Sequence, residues 1–198
     1  MKRIPFATLA AAAACLLAAG CLFGPSARTT YLTEYEGGEV RAFEGSGKRP
    51  VLRVGPVVAA EPYGSTRMLV HDAETGRLHG TEGARLATPP AVAVRNGVRR
   101  ALEESGAFES VEDGALTVSG ARTLQGFVEK ARLECRKDGS CVYALSATFR
   151  VSGGGAEDRS FAVRAEAPAA DAGAASQAAA AREAAAQLAK SVVFELTR

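Results

Sequence analysis

The segment between Phe127 and Val151 predicts a β-hairpin whose register is set by its turn. Along its second half, apolar residues alternate with polar ones, as in a strand that buries one face; the alternating residues are Tyr143, Leu145, Ala147, Phe149 and Val151. A three-residue loop, Lys137 to Gly139, with Gly139 in the left-handed conformation, pairs Arg136 with Ser140. A two-residue Asp-Gly turn would shift the register by one and set apolar faces against polar ones. The hairpin therefore limits the fold to one with a long antiparallel strand pair.

The same register pairs residues of matching character along the whole hairpin. It sets Leu133 against Tyr143, Ala131 against Leu145, Phe127 against Phe149, and Cys135 directly against Cys141. We therefore predict a cross-strand disulfide between Cys135 and Cys141, which closes a short loop and adds about 2 kcal/mol of stability. The alternative is two separate thiols.

The N-terminus has the three regions of a secretory signal peptide. Lys2 and Arg3 precede an apolar stretch from Ile4 to Leu17, and small residues lead to Cys21. This stretch is shorter than the roughly 20 residues that a spanning helix needs. Residues 1–20 resemble the signal and lipobox of bacterial lipoproteins, in which cleavage before the cysteine leaves it carrying a covalent lipid. The resemblance implies lipidation of Cys21.

The N-terminal sequence allows two alternative interpretations. Cleavage after the A-x-A site at Ala12 to Ala14 would release a soluble periplasmic protein, and Cys15 could carry the lipid behind a shorter apolar region. In lipoproteins of this type, Asp after the lipidated cysteine favours retention at the inner membrane. Leu22 stands there, which points to the outer membrane. Export leaves Cys135 and Cys141 as an even pair in an oxidising compartment and favours the disulfide.

The mature chain has the size of a single domain with one core. We expect a tether over residues 21–30 and a domain over residues 31–198. Removing Lys2 and Arg3 with the signal leaves 22 basic side chains against 22 acidic ones. The charge therefore gives no support for nucleic-acid binding, and the basic run around Cys135 lacks interleaved aromatic residues.

The pattern along the chain predicts strands, a helix, an antiparallel run and a second helix. The first strand is expected over Tyr31–Tyr35, a second begins near Leu52 with Pro56 at an edge or bulge, and a hairpin turns at Thr75–Gly76. The later strands are expected over Ala115–Thr123, Gly126–Arg136, Cys141–Ser152 and Asp158–Ala167. This order indicates an α+β fold, with an antiparallel or mixed sheet and two main helices packed on one face.

Both helices carry an apolar stripe. In the first, Thr88 can cap, Pro89 fits the first helical position and Gly106 ends the helix. Its buried face is predicted as Ala91, Val94, Val98, Ala101, Leu102 and Ser105. The final helix is rich in alanine, which favours helix, and its stripe is Ala178, Ala181, Ala185, Leu188, Val192 and Leu196.

Residues that would support catalysis or metal binding are sparse. His71 and His79 are the two histidines, and a zinc site would need two further ligands beside them. The run EGSGKR resembles the end of a phosphate-binding loop, but Ala42 stands where the first glycine is required and Arg49 replaces Ser or Thr. We therefore predict no catalytic residues, no metal and no cofactor apart from the lipid on Cys21, and we expect the function to lie in binding surfaces.

Three successive blocks resemble those of the ABC-type transport auxiliary lipoproteins, the PqiC-like family. They are LRVGPVVAAEPY from Leu52, RMLVHDAETGRLHG from Arg67 and RLATPPAVAVRNGVRRALEESGAFESV from Arg85. This resemblance implies an outer-membrane lipoprotein that faces the periplasm. Its partners would be an inner-membrane ABC transporter and MCE-type proteins, with which it moves lipids or other hydrophobic molecules; homo-oligomerisation is compatible with such partners. The main alternative is an assembly lipoprotein of another envelope machine, such as a secretion or surface-appendage system. A third hypothesis is a secreted hydrolase or binding enzyme.

Overall fold

A computed structural model describes most of the predicted domain. The described residues are 28–31, 40, 47–114, 121–155 and 157–198. The predicted signal peptide, Cys15, Cys21 and all but the end of the predicted tether lie outside these ranges. So do residues 32–35 of the first predicted strand and residues 115–120 of the strand predicted over Ala115–Thr123.

Within the described residues the chain forms eight strands and two helices. In chain order they are β1 (Thr29–Tyr31), β2 (Leu52–Ala59), β3 (Arg67–Asp72), β4 (Arg77–Leu86), α1 (Pro90–Ser105), β5 (Val111–Asp113), β6 (Arg122–Cys135), β7 (Cys141–Gly153), β8 (Arg159–Ala169) and α2 (Ala174–Thr197). The predicted hairpin turn at Thr75–Gly76 is confirmed, because Asp72 pairs with Arg77 and Gly76 has a φ of 66°.

The strands form one mixed sheet around β6. Along one side of β6 runs β7, antiparallel, and β8 pairs antiparallel with β7. The other side of β6 is divided, because its first half pairs parallel with β2 and its last residues pair parallel with β3. β5 extends the sheet beyond β2, while β4 and β1 extend it beyond β3.

Both helices pack on the same face of this sheet, which we call the inner face. The main core joins apolar residues of α1 and α2 to inward residues of β2, β6, β7 and β8, including Leu52, Val98, Leu124, Phe149 and Leu188. A smaller cluster around Met68 and Leu86 lies under the start of α2. The α+β architecture predicted from the sequence, with both helices on one face, is confirmed. The opposite face, on which neither helix of the described residues packs, is called the outer face.

The start of α1 differs by one residue from the prediction. Pro90 takes the first helical position, and Pro89 precedes the helix with an extended ψ of 144°. The reason is local, since a residue before proline is disfavoured in the helical region. Every residue of the predicted stripe is buried, and Gly106 ends the helix with a φ of 64°.

α2 follows its predicted stripe from Ala178 to Val192, all of it buried, whereas Leu196 is half-buried. One polar residue on this face, Gln177, is also buried. Its Nε2 donates to the carbonyl of Leu69 at 2.9 Å, and its Oε1 accepts from the Thr81 hydroxyl at 3.2 Å. These hydrogen bonds tie the first turn of α2 to β3 and β4.

The predicted register of the long hairpin is right at its turn and wrong at its far end. Cys135 lies opposite Cys141, Leu133 opposite Tyr143 and Ala131 opposite Leu145, as predicted. A β-bulge at Glu129 then inserts one residue into β6. Phe127 therefore pairs with Thr148 instead of Phe149, because one extra residue moves the following side chains to the other face.

Candidate functional site

The turn end of the hairpin holds the predicted cysteine pair. The Sγ atoms of Cys135 and Cys141 form a disulfide with an S–S distance of 2.04 Å. The Arg136 amide donates to the carbonyl of Ser140 at 2.8 Å, and Gly139 has the predicted left-handed φ of 83°. Asp138 accepts hydrogen bonds from the Ser140 hydroxyl and amide, and these hold the pKa of its carboxyl below the usual range.

The outer face carries exposed apolar side chains at its centre. A cross-strand row runs from β2 to β8 through Val58, Phe127, Thr148 and Ala162, and we call these four residues the outer-face patch. Val58 is 56% exposed and Phe127 is 43% exposed. Because the two are direct register partners, they form a continuous apolar surface.

Charged groups surround this patch. The Thr148 hydroxyl donates to the carboxylate of Glu129, and Arg150 forms an ion pair with Asp158 at 2.7 Å. On the other side, Lys130, Ser146 and Arg164 help to line a shallow depression of about 300 Å³. An apolar centre with a charged rim is the usual composition of a surface that binds another protein.

A cluster of charges continues along β6 beyond this depression. Glu134 forms ion pairs with Arg132 at 2.9 Å and with Lys130 at 3.1 Å. Partial burial opposes ionisation of this carboxyl, but the hydrogen bonds from Arg132 and Lys130 outweigh it and hold the pKa of Glu134 below its usual range. The guanidinium of Arg132 also donates to the hydroxyl of Tyr63 at 3.3 Å.

The sequence does not predict this patch, because the predicted register pairs Phe127 with Phe149 and so puts Phe127 on the buried face. The signal that could have found it is Gly126. In the structure Gly126 lies opposite Phe149, and a Cβ at residue 126 would lie 2.7 Å from the Phe149 ring. A residue without a side chain is therefore needed opposite Phe149, and this moves Phe127 to the outer face.

The two histidines do not converge. His79 pairs with Val70 and His71 pairs with Leu78, so the imidazoles point to opposite faces of the β3–β4 hairpin. Across the described ranges, no group of three His, Cys, Asp or Glu residues could hold a metal ion. The buried Ser105 has a structural role, since its hydroxyl donates to the carbonyl of Leu102 at 2.7 Å.

The other predicted features fall partly outside the described residues. Cys21, the predicted lipidation site, is outside them, and so is the start of EGSGKR. Arg49, the last residue of that run, pairs with Phe108 in an isolated bridge, and its guanidinium donates to the carbonyl of Thr197 at 2.6 Å. This arginine therefore joins the segment before β2 to the end of α2. In the part of the chain that the structure describes, no helix is long and apolar enough to cross a bilayer.

Comparison with known proteins gives one family and a set of similar folds. The family model of the ABC-type transport auxiliary lipoprotein component matches residues 37–193. A crystal structure of a DUF330 protein from Xanthomonas campestris has a TM-score of 0.72 at 20% identity, covering 85% of this chain and 95% of that one. The crystal structure of an uncharacterized protein has a TM-score of 0.65 at 13% identity, covering 86% and 99%. At these identities the likeness shows the fold alone. No curated protein matches the sequence.

Proposed function

Because the chain belongs to the family of ABC-type transport auxiliary lipoprotein components, we propose that it is an outer-membrane lipoprotein of an ABC/MCE-type system. In this role it helps to move lipids or other hydrophobic molecules across the periplasm. The family match over residues 37–193 is the observation that carries the proposal, because it covers both helices to within a few residues and every described strand but β1.

The anchor of the domain is the lipid on Cys21. This cysteine follows an apolar run and three small residues, and it lies seven positions before Arg28, where β1 is about to begin. A chain of that length spans at most about 25 Å. The tether therefore keeps β1 and its neighbour β4 near the membrane surface.

The outer-face patch is the surface through which the domain contacts a protein subunit of the transport system. It is apolar at Val58 and Phe127, and ion pairs and hydrogen bonds form its rim. The helices leave this face uncovered, so a partner can reach it without any rearrangement of the core. The domain performs no ATP hydrolysis and no other catalysis in this proposal; its work is docking.

Labelling with a palmitate analogue tests the anchor. Wild-type cells are expected to give a labelled protein, and Cys21→Ala should lose the label. Cys15→Ala is the matched control, because this cysteine lies in the predicted signal peptide and should leave the label unchanged. If the label persists in Cys21→Ala, the attachment site is wrong.

Gene neighbours and co-purification separate the transport role from its alternative. Adjacent genes for an ABC ATPase, a permease and an MCE protein support transport, whereas secretion or appendage genes would contradict it. A lipid that co-purifies with the protein indicates direct carriage. Capture of an MCE protein without lipid indicates docking.

A further inference from the structure

A bulge in β4 lies beside a depression that Arg28 also lines. Arg67 pairs with Arg85 and Leu69 pairs with Gly80, so the four residues Thr81–Ala84 face Met68 alone. Within this bulge Gly83 has a φ of 68°, which favours glycine. The depression has a volume of about 490 Å³. Bulges of this kind are over-represented next to functional sites, where they re-aim side chains.

Three arginines line this depression. Arg67 and Arg85 lie directly opposite each other across the β3–β4 ladder, and Arg28 precedes β1, whose Thr30 pairs with Arg85. Like charges directly opposite one another destabilise a sheet. Among the described residues, Glu82 is the one acidic residue in the lining, and none of the three arginines forms an ion pair. The described residues that line the depression therefore carry three positive charges and one negative charge.

The guanidinium of Arg67 lies against Gly80 of the neighbouring strand. A Cβ at Gly80 would lie 3.0 Å from one terminal nitrogen of the Arg67 guanidinium and 3.3 Å from its Nε. Glycine at this position lets the planar group rest on the strand of its own hairpin. Arg67 thus lines the depression, and a guanidinium can recognise phosphate through two parallel hydrogen bonds.

We propose that this depression binds the phosphate group of an anionic lipid headgroup through Arg28, Arg67 and Arg85. The choice of a membrane lipid over free phosphate rests on the proposed function, because the tether from Cys21 places Arg28 within about 25 Å of the bilayer surface. Binding of the headgroup neutralises the opposed arginines and fixes the orientation of the domain on the membrane. The outer-face patch then has a defined direction relative to the bilayer.

Thermal unfolding of the full chain in a neutral detergent tests this site. The probes are dihexanoylphosphatidylglycerol, zwitterionic dihexanoylphosphatidylcholine and inorganic phosphate. Phosphatidylglycerol at about tenfold over its Kd should raise the Tm by about 3 °C or more, and phosphatidylcholine should not. No shift with phosphatidylglycerol, or an equal shift with phosphatidylcholine, would overturn the proposal. An equal shift with inorganic phosphate would support the anion site and contradict the lipid source.

Variants identify the residues that carry the shift. Arg67→Gln together with Arg85→Gln should abolish the shift while the protein without lipid stays at least as stable, because the like-charge pair is removed. Arg77→Gln, at the turn end of the same hairpin, is the matched control and should keep the full shift. If the double variant retains the shift, the assignment to these arginines is wrong.

If the double variant does not fold, chemical modification of the wild-type protein tests the same site. Phosphatidylglycerol should slow the reaction of phenylglyoxal with Arg67 and Arg85 several-fold while leaving Arg77 in the same molecule unaffected. Equal rates at all three would contradict the site. None of these binding results depends on lipidation. Absence of headgroup binding would therefore leave the conclusion on Cys21 unchanged, and absence of label on Cys21 would leave the conclusion on headgroup binding unchanged.

Discussion

Gly126 lies opposite Phe149 in the β6–β7 ladder, and the Phe149 ring fills the space that a side chain at residue 126 would enter. A Cβ there would meet two ring carbons at 2.7 and 3.0 Å and a methyl of Val57 at 3.0 Å. We expect Gly126→Ala to lower the free energy of unfolding by roughly 1–3 kcal/mol, as overpacking of a core does. Urea unfolding measures this.

The control for this prediction is Gly64→Ala. Among the described residues, a Cβ at Gly64 would meet only the flexible carboxylate end of Glu61, at 3.6 Å, so the stability of this variant should stay close to that of the wild type. If Gly126→Ala is as stable as Gly64→Ala, the packing of Phe149 over β6 is wrong.

Arg95 joins α1 to the bulge in β2. Its Nε donates to the carbonyl of Gly55 at 3.1 Å, and its terminal nitrogen forms an ion pair with Asp113 at 2.7 Å. Arg95→Ala should therefore lower the free energy of unfolding by about 2 kcal/mol, since hydrogen bonds from a charged group are lost. Arg99→Ala on the same helix removes only a surface pair with Glu103 and should cost about 0.5 kcal/mol. Equal costs in thermal or urea unfolding would refute the role given to Arg95.

The disulfide can be mapped directly. Trypsin cleaves after Arg132, Arg136, Lys137 and Arg150, so non-reducing mass spectrometry should find LECR joined to DGSCVYALSATFR. Reduction should lower the free energy of unfolding by about 2 kcal/mol, because the closed loop is short. Two free thiols in the protein isolated from the envelope would contradict the pairing.

The ion pairs of Glu134 predict a pH dependence of stability. Its pKa is lowered from 4.5 in the folded state, so its contribution is present above pH 4.5 and is lost as the pH falls through the folded pKa. The stability difference between wild type and Glu134→Gln should therefore be largest near neutral pH and vanish in acid. Urea midpoints from pH 7 to 3 measure it. Glu109→Gln, at an exposed position, is the control; a constant difference for Glu134→Gln would contradict the account.

The sequence predicts the regular parts of this fold well, because periodicity and turn chemistry act locally. The alternation along β7 and the glycine of the three-residue loop set the register near Cys135 and Cys141 correctly. The bulge at Glu129 cannot be predicted from local sequence patterns, because it depends on how Gly126 and Phe149 pack in the folded core. The role of Arg95 is not predictable from the sequence of α1 for the same reason, since its partners belong to β2 and β5, which are distant in sequence.

The candidate surfaces were still harder to predict. The outer-face patch depends on the register that the bulge changes. The arginine cluster depends on the pairing of Arg67 with Arg85 and of β1 with β4, which are non-local contacts that no window of sequence contains. The predicted anchor at Cys21, in contrast, is a short linear motif and is readable from the sequence alone.

Site-specific photo-crosslinking in the native host tests whether the outer-face patch contacts a subunit of a transport system. A photoreactive residue at Phe127 should crosslink to a subunit of an ABC or MCE-type transport system, identified by mass spectrometry. The same residue at Phe194, which is 64% exposed on α2 and thus on the helix side, should not. Of these two positions, residue 127 alone should therefore capture a transport subunit. Equal capture at both positions, or capture of a secretion or appendage component at residue 127, would contradict this prediction.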